Sequence, residues 1–332
     1  MSEPIRLTIA SAYYDRTAPL ADGRVRPQGV ELTYLFMRYE DVFWRMLRHE
    51  EFDVSEMSLS SFLISKANAK PELVGLPVFL SRVFRHSSIY VNTSAGIATP
   101  ADLRGKLVGV PEYQITAAVW IRGILQHDYR VHPHELSWRT GGLQEPGREE
   151  KLALHLPANV EVEWIGPDRT LDELLLAGAI QALVTARPPD SFVRGDPRVA
   201  RLFQDYREVE AEYFRRTGIF PPMHLVAMRR QVYQAHPWAA VSLYRAFCDA
   251  KAYCRVTDMF DGHSRYALPM LHAAAEDHLR AFGDTDMWPY GVTENRHTLE
   301  AITQYAYEQG LTPRKLEVDE LFAANLLDAS RN

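Results

Sequence analysis

A short apolar segment that stops at a proline and restarts as a helix is well suited to binding an anion. It reads Arg-Gly-Lys-Leu-Val-Gly-Val-Pro-Glu-Tyr-Gln-Ile-Thr-Ala-Ala-Val-Trp over residues 104–120, which predicts a strand ending at Pro111 and a helix after it. The first N–H groups of a helix lack partners within the helix and lie at the positive end of its dipole. Residues 113–117 are therefore expected to hold a carboxylate or a phosphate.

The predicted strands and helices that position this junction alternate along the chain. This alternation is typical of α/β proteins. The predicted strands are 5–10, 30–36, 53–57, 89–92, 160–165, 181–185 and 225–228. The predicted helices are 39–48, a helix that begins at Ser58 or Ser60, the helix after Pro111, which ends near residue 127, 171–177, and helices from 237 to 255 and on to the C-terminus. The turn-rich segment 93–100 predicts a crossover into a second lobe, and 218–224 the return. We therefore expect lobe 1 to comprise residues 1–92 and 225–332, and lobe 2 residues 93–224.

Composition limits the classes of partner. The chain has 332 residues, 46% of them hydrophobic, and a formal charge of −6 without a basic block, which argues against nucleic-acid binding. No apolar run approaches the roughly 20 residues of a membrane span. Cys248 and Cys254 lie six apart in a predicted helix, a spacing that suits neither a disulfide nor a zinc site. Because the first strand begins at Ile5 with no export signal before it, we expect a cytoplasmic protein.

Six short strings lie in order along nearly the whole chain: Tyr14-Asp15-Arg16-Thr17, Glu56-Met57-Ser58-Leu59-Ser60-Ser61, Arg85-His86-Ser87, Val110-Pro111-Glu112-Tyr113-Gln114, Gly218-Ile219-Phe220-Pro221 with Met223-His224, and Trp288-Pro289-Tyr290-Gly291 with Asn295-Arg296. Together they resemble the 4,5-dihydroxyphthalate decarboxylases. A first lobe that is interrupted by a second lobe, with residues 101–111 just after the crossover, resembles the type II periplasmic-binding-protein fold. That resemblance implies a ligand cleft between two lobes.

The resemblance implies an enzyme that converts 4,5-dihydroxyphthalate, or a close hydroxyphthalate, to 3,4-dihydroxybenzoate and CO2 in phthalate degradation. Loss of CO2 requires the ring to carry negative charge briefly, or a proton to be added at the carbon that loses the carboxylate. A hydroxyl para to that carbon assists either route. A base near the phenol and an acid near the carbon would suffice, so no cofactor is expected.

The resemblance also suggests roles for individual residues. Arg16 and Arg85, helped by residues 113–116, would bind the two carboxylates, because a guanidinium matches a carboxylate. His86 or His224 would give the proton, and Asp15 or Glu112 would orient the histidine or accept a phenolic proton. The remaining candidate substrate-binding residues are Arg82 and Arg187 as reserve arginines, Tyr14, Tyr113 and Phe220 as stacking rings, and Ser58, Ser60, Gln114 and Thr116.

Plainer interpretations stay open for several of these residues. Asp15 and Arg16 would also fit a local ion pair, Glu112 a helix-capping role, and a lone arginine a surface group. His132 and His134 lack an obvious carboxylate partner, so no metal site is expected, although a divalent metal remains an alternative.

Two other functions compete with the decarboxylase. A solute-binding protein of an ABC-type transporter would use the same arginines for an aromatic dicarboxylate and would need no proton donor. An enzyme of cofactor biosynthesis on the same fold is a weaker alternative. The C-terminal helices carry aromatic residues that suit an interface, so a homo-oligomer is expected.

Overall fold

The computed structural model describes residues 3–69, 72–254, 267–283 and 286–329. Its strands are β1 (Ile5–Ser11), β2 (Val30–Phe36), β3 (Val54–Ser58), β4 (Leu73–Arg82), β5 (Ile89–Asn92), β6 (Leu107–Val110), β7 (Ser137–Thr140), β8 (Glu161–Trp164), β9 (Ala182–Val184), β10 (Val199–Arg201) and β11 (Pro222–Arg229). Its helices are α1 (Ala18–Ala21), α2 (Tyr39–His49), α3 (Leu59–Asn68), α4 (Thr116–Tyr129), α5 (Leu171–Leu176), α6 (Asp190–Val193), α7 (Tyr206–Thr217), α8 (Arg230–Ala235), α9 (Pro237–Lys251), α10 (Leu271–Phe282), α11 (Arg296–Glu308) and α12 (Val318–Leu321).

The strands form two sheets, which confirms the expected α/β class. The first sheet has the order β2-β1-β3-β11-β4, with β11 antiparallel to both of its neighbours. The second has the order β10-β5-β9-β6-β7-β8, and its strands β9, β6, β7 and β8 run parallel. Each sheet is the centre of one lobe.

The sheets divide the chain at slightly different points from the predicted 92/93 and 224/225. Strand β5 (Ile89–Asn92) pairs with β9 and β10 in the second sheet, so the chain leaves the first sheet before residue 89. Strand β11 already pairs with the first sheet at Pro222. A four-residue apolar strand suits the interior of either sheet, so its composition does not say which one it joins.

Strand β4 had no counterpart in the predicted elements. It contains Pro77, and a proline normally argues against a strand because it cannot donate to the ladder. In the structure β4 is the edge strand of its sheet, and Pro77 lies between Leu76 and Ser81, where the register with β11 shifts. Other boundaries move by a few residues: α9 ends at Lys251, and Arg255, its predicted end, lies outside the described residues.

One apolar core extends across both lobes. Helix α4 of the second lobe packs against α3 and α11, and its Trp120 is fully buried and donates from Nε1 to the carbonyl oxygen of Pro222 at 2.9 Å. Gly123 allows the ring of Tyr305 on α11 to lie directly against α4, where any side chain would collide with it. Within the described residues, no helix combines the length and apolar character needed to cross a membrane.

Candidate active site

A cleft of about 840 Å³ opens between the two sheets. The carboxyl ends of β1, β3 and β4 border it from the first lobe, and those of β6, β7 and β9 from the second, since residues just beyond these strands line it. Strand β11 runs in the opposite direction, so it contributes its amino end. Open α/β sheets bind ligands at such strand ends, and the volume suits a small molecule.

The cleft collects about half of the predicted site residues. Those that line it are Tyr14, Ser58, Arg85, Glu112, Thr116, Arg187 and His224. Those that lie outside its lining are Asp15, Arg16, Ser60, Arg82, His86, Tyr113, Gln114 and Phe220. Residues of the second group either pack behind the cleft-lining residues or make contacts elsewhere in the molecule.

His224 is held by a buried carboxylate on the neighbouring strand. Its Nδ1 lies 2.6 Å from Oε1 of Glu56, whose side chain is completely buried. The hydroxyl of Tyr14 donates to the same oxygen at 2.5 Å, and the N–H of Ala12 donates to Oε2 at 2.8 Å. With Nδ1 committed to Glu56, Nε2 of His224 is the ring nitrogen left for a ligand.

Strand register explains this contact. His224 on β11 lies directly opposite Ser58 on β3, and Glu56 is two residues before Ser58. Residues two apart on a strand share a face, so Glu56 and His224 form a diagonal cross-strand pair. Both residues of this pair lie on strands of the sheet and not on a loop.

The network keeps Glu56 ionised. Burial alone would raise its pKa, but the hydrogen bond and charge of His224 and the hydrogen bonds from Tyr14 and Ala12 lower the pKa of Glu56 below its ordinary value. Burial and the neighbouring Glu56 raise the pKa of Tyr14, which therefore remains a proton donor. An ionised carboxylate is a favourable partner for a positively charged imidazole ring.

Arg85 brings to the cleft a positive charge that no ion pair among the described residues balances, although the buried carboxylate of Glu210 offsets part of it from a greater distance. Its side chain is 5% exposed, and its contacts are to Sδ of Met223 at 3.1 Å, Oγ of Ser88 at 3.4 Å and the carbonyl oxygen of Ala186 at 3.4 Å. Among the described residues, no carboxylate lies within ion-pair distance of it. Burial lowers the pKa of Arg85 to about 10, so the group stays cationic at neutral pH. A buried charge without a partner is costly, and a bound anion would remove that cost.

The loop after β7 supplies two further cations. Arg148 and Lys151 line the cleft and pair with Glu112, at 2.6 Å and 2.5 Å, while the Glu112 side chain is almost fully buried. Glu112 thus anchors this loop against the end of β6. In the described part of the chain, its side chain neither contacts a histidine nor caps a helix.

Only the first part of the predicted anion site at the strand-to-helix junction, residues 113–114, is occupied by the chain itself. The carboxylate of Glu150 accepts hydrogen bonds from the N–H groups of Tyr113 and Gln114 and, at 2.9 Å, from Nε2 of Gln114. Helix α4 begins at Thr116, and residues 115–117 at its N-terminus line the cleft. The N–H groups of residues 113–114 thus bind a carboxylate of the chain and do not face the cleft, whereas anion binding at residues 115–117 stays a prediction.

The serine and threonine hydroxyls join the two lobes at the floor of the cleft. Oγ of Ser58 lies 3.0 Å from Oγ1 of Thr116, and Oγ of Ser60 lies 3.1 Å from the same atom. Ser60 also donates to the carbonyl oxygen of Gln114 at 2.5 Å. Ser58 occupies the N-cap position of α3, but its hydroxyl bonds to the other lobe and does not cap the helix.

Arg16 and its neighbours support Tyr14 from behind. The Arg16 guanidinium lies 4.4 Å from the ring centroid of Tyr14 and 4.2 Å from that of Trp288, and it pairs with Asp15 at 3.1 Å. Phe220 packs on Trp288 with ring centroids 5.5 Å apart. Asp15 and Arg16 thus form the local ion pair that was the plainer interpretation.

Arg82 and Tyr113 are structural. Arg82 is buried and donates to the carbonyl oxygens of Phe220 at 2.8 Å and Pro289 at 2.9 Å, and to Oδ1 of Asn295. Tyr113 is buried with its ring 3.6 Å from the Arg122 guanidinium. Neither side chain reaches the cleft.

His86 lies on a separate pocket. It is 2% exposed and packs edge-on against Tyr213 and Phe203, with ring centroids 5.1 and 5.3 Å away. Burial, with a smaller contribution from Arg216, lowers the pKa of His86 to about 4. His86 is therefore neutral at neutral pH and lines a pocket with Tyr129 and Tyr213, away from Glu56 and His224.

Four residues of the cleft and its support had no predicted role: Glu56, Arg148, Lys151 and Tyr39. Glu56 carried a usable signal, because it is the one charged residue within β3, a strand whose five residues are all buried. A buried carboxylate in a sheet requires partners and is a common sign of function. Arg148 and Lys151 lie in an irregular loop, where no periodicity indicates which side chains face a cleft.

Within the described ranges, no group of three or more histidine, cysteine, aspartate or glutamate side chains is arranged to hold a metal ion. His132 and His134 stack on each other with ring centroids 5.5 Å apart.

No protein-family model matches the chain. A 4,5-dihydroxyphthalate decarboxylase of Comamonas testosteroni is 37% identical over 318 residues, which are 96% of this chain and 96% of that protein. A 4,5-dihydroxyphthalate decarboxylase of Pseudomonas putida is 40% identical over 211 residues, covering 64% of this chain and 82% of that protein.

Solved structures share the fold. The alkanesulfonate-binding protein SsuA from Xanthomonas axonopodis pv. citri aligns over 98% of both chains with a TM-score of 0.56 and 13% identity. The desulfurization enzyme DSZB aligns over 96% of both chains with a TM-score of 0.50 and 15% identity. At such low sequence identity these similarities show the fold alone, and they confirm the expected two-lobed fold of the periplasmic-binding-protein type.

Proposed function

Because the chain belongs to the 4,5-dihydroxyphthalate decarboxylase family, we propose that it is a carboxy-lyase that converts 4,5-dihydroxyphthalate, or a close hydroxyphthalate, to 3,4-dihydroxybenzoate and CO2 in phthalate degradation. The observation that carries the mechanism is that one cleft holds both the unpaired guanidinium of Arg85 and the imidazole of His224 bound to Glu56. One group suits the carboxylate that stays, and the other suits proton donation to the ring.

Arg85 is the anchor for the carboxylate that is retained. A carboxylate can accept two parallel N–H bonds from a guanidinium, which fixes the plane of the attached ring as well as its position. The cations Arg148 and Lys151 add positive potential at the other side of the cleft, although Glu112 offsets part of it. A dianionic substrate is therefore attracted, and only one of its carboxylates finds a deeply buried partner.

His224 is the proton donor. Its Nε2 gives a proton to the ring carbon that bears the leaving carboxylate, and the para hydroxyl stabilises the resulting cation by donating electron density. The bond between that carbon and the carboxylate then breaks, its electron pair returns to the ring, and CO2 leaves. The ring has exchanged CO2 for one proton, and His224 regains its proton from solvent. Glu56 is a positioning residue that holds the imidazole and balances its charge.

The symmetry of the substrate explains why one anchor is enough. The two carboxylates of 4,5-dihydroxyphthalate are equivalent, so either can bind Arg85 while the other is presented to His224. The product keeps a single carboxylate. When that carboxylate binds Arg85, the carbon near His224 already carries hydrogen, so the reaction stops after one CO2.

Cofactor independence is part of the proposal. A hydroxyl para to the leaving group supplies the electron density for which other decarboxylases use an electron-sink cofactor. The histidine and arginine needed for proton donation and anchoring are both supplied by the chain. A chelator is accordingly expected to leave turnover unchanged.

We also propose a cytoplasmic, homo-oligomeric protein. Decarboxylation inside the cell retains the product for further breakdown. Exposed aromatic side chains such as Tyr13, Phe36 and Trp238 supply apolar surface for an interface. Cell fractionation tests the location, and light scattering after gel filtration tests the oligomeric state.

The test is turnover of 4,5-dihydroxyphthalate by the purified protein, followed as CO2 release and ring absorbance, with and without a chelator. His224→Gln is expected to lower kcat about 100-fold or more, within the range of general acid catalysis. Arg85→Met is expected mainly to raise KM, because it removes a charged hydrogen-bond pair to the carboxylate. Tight binding without CO2 release would instead indicate a solute-binding protein, and loss of turnover with the chelator would indicate a metal.

A further inference from the structure

Arg187 connects the two lobes across the cleft. It follows β9 in the second lobe, and its Nε donates to the hydroxyl of Tyr39 at 3.0 Å, while Nη2 pairs with Glu40. Tyr39 and Glu40 begin helix α2 of the first lobe. The three side chains, called here the cleft bridge, all line the cleft.

The cleft bridge lies nearer to solvent than the hydroxyl contacts at the floor. The Arg187 side chain is 47% exposed and that of Glu40 21% exposed, whereas Ser58 and Thr116 are buried. The lobes are thus joined at two depths. A ligand held between these two levels would be enclosed by the floor contacts below and the cleft bridge above.

The cleft bridge reaches His224 through one ring. The Tyr39 ring lies 5.3 Å from the imidazole of His224 between centroids, and Phe43, one turn further along α2, lies 4.8 Å from the same imidazole. Glu56 fixes His224 at Nδ1, but a single hydrogen bond leaves the ring free to tilt about it. The flanking rings of Tyr39 and Phe43 limit that tilt.

Arg187 differs from Arg85 in having its charge balanced already. Arg85 has no carboxylate partner among the described residues, whereas Arg187 has Glu40 and a phenolic oxygen. A substrate carboxylate would have to displace both partners to bind Arg187. Binding to Arg85 requires no such exchange.

We propose that Arg187 is a positioning residue: by bonding Tyr39 across the closed cleft, it sets the orientation of the His224 imidazole against the ring of the substrate. This inference rests on the proposed function for its catalytic consequence. Opening of the lobes would separate Arg187 from Tyr39 and release the imidazole. Proton donation is thereby restricted to the closed, water-poor cleft, where protonation of the ring competes best with loss of the proton to solvent.

The experiment is a double-mutant cycle of Arg187→Ala and Tyr39→Phe, measured on kcat and KM with 4,5-dihydroxyphthalate. Each single variant is expected to lower kcat about 10-fold with KM within about twofold of wild type, because small misplacement of a catalytic group costs up to about 100-fold. The double variant should be no slower than either single one, since both remove the same bond. Arg104→Ala is the matched control: it removes an ion pair of similar exposure, 41% for Arg104, within the second lobe.

A readout without activity separates this inference from the proposed function. In protein labelled with 15N-histidine, the ring signals of His224, assigned from His224→Gln, should shift in Arg187→Ala and in Tyr39→Phe but not in Arg104→Ala. A wild-type protein with no turnover would overturn the proposed function. The spectra would still show whether the cleft bridge orients the imidazole of His224. Unchanged His224 signals, a raised KM at constant kcat in Arg187→Ala, or additive effects in the cycle would each overturn the positioning role.

Discussion

Two arginines near the end of β4 show how burial alone fails to identify function. Arg82 and Arg85 are both buried, with 4% and 5% exposure. Arg82 donates to three oxygen acceptors, whereas Arg85 meets a thioether and two acceptors at 3.4 Å. Both residues precede the predicted strand 89–92, so the sequence selected both. Only the positions of acceptors from distant segments, such as Asn295, separate a structural arginine from a ligand-binding one.

The two candidate histidines differ in the same way. His224 was placed at the return crossing by its position in the chain, but its partner Glu56 lies 168 residues earlier. His86 directly follows Arg85 but lines a second pocket, where it packs against the rings of Phe203 and Tyr213. Side-chain direction in an irregular turn has no periodicity, and so the sequence kept both histidines open.

The low pKa of His86 predicts that the free energy of unfolding decreases in acid. Its pKa of about 4 in the folded protein is below the ordinary histidine value of about 6.5, so the unfolded chain binds the proton more tightly. The stabilising effect of keeping His86 neutral is complete above pH 6.5 and is lost as the pH falls towards 4. The expected loss is about 2 kcal/mol between pH 7.5 and pH 5, measured by urea unfolding.

The comparison variant for this prediction is His86→Phe, which keeps a ring against Tyr213 but cannot titrate. Its free energy of unfolding should fall less than that of the wild type over the same pH interval, by about 2 kcal/mol. His134→Phe, at an exposed position, should retain the wild-type pH dependence. A His86→Phe protein with the same pH dependence as wild type would contradict the prediction.

At the scale of elements, the strand-to-helix junction was predicted from local chemistry and its partner was not. Residues 104–120 do form a strand and a helix, and backbone N–H groups before α4 do bind a carboxylate. Local sequence reveals where donors are unsatisfied. It does not reveal that residue 150, on a loop 36 residues further along, folds back to satisfy them.

The junction predicts a strong dependence of stability on Glu150. Glu150→Ala would leave the N–H groups of Tyr113 and Gln114 and the amide of Gln114 without their acceptor, at a cost of about 1–3 kcal/mol in the free energy of unfolding. Urea unfolding measures that loss. Glu149→Ala, at the exposed neighbouring position, should change stability by less than about 0.5 kcal/mol. Glu150→Gln keeps one oxygen acceptor and should recover part of the loss; equal stability of the two alanine variants would refute this role.

At the scale of the whole molecule, the two-lobed fold was predictable and its exact partition was not. The alternation of strands and helices and the six family-like strings indicated the architecture that the structural neighbours confirm. Strand β5 joined the other sheet because pairing between distant strands is decided by packing and not by the composition of four residues. The cleft itself depends on such pairing, since β11 brings His224 beside Glu56 only in its antiparallel register with β3.

Ligand binding between the lobes should stabilise the whole molecule. Phthalate has both carboxylates but lacks the para hydroxyl that makes the ring reactive, so it is expected to bind Arg85 and remain intact. At a concentration 100 times its Kd, it should raise the free energy of unfolding by about 2.7 kcal/mol, measured by urea unfolding with and without the ligand. Dimethyl phthalate, which has the same ring and no charge, should give little stabilisation, and Arg85→Met should lose most of the effect of phthalate. Equal stabilisation by the ester, or an undiminished effect in Arg85→Met, would show that the cleft recognises the ring and not the carboxylate.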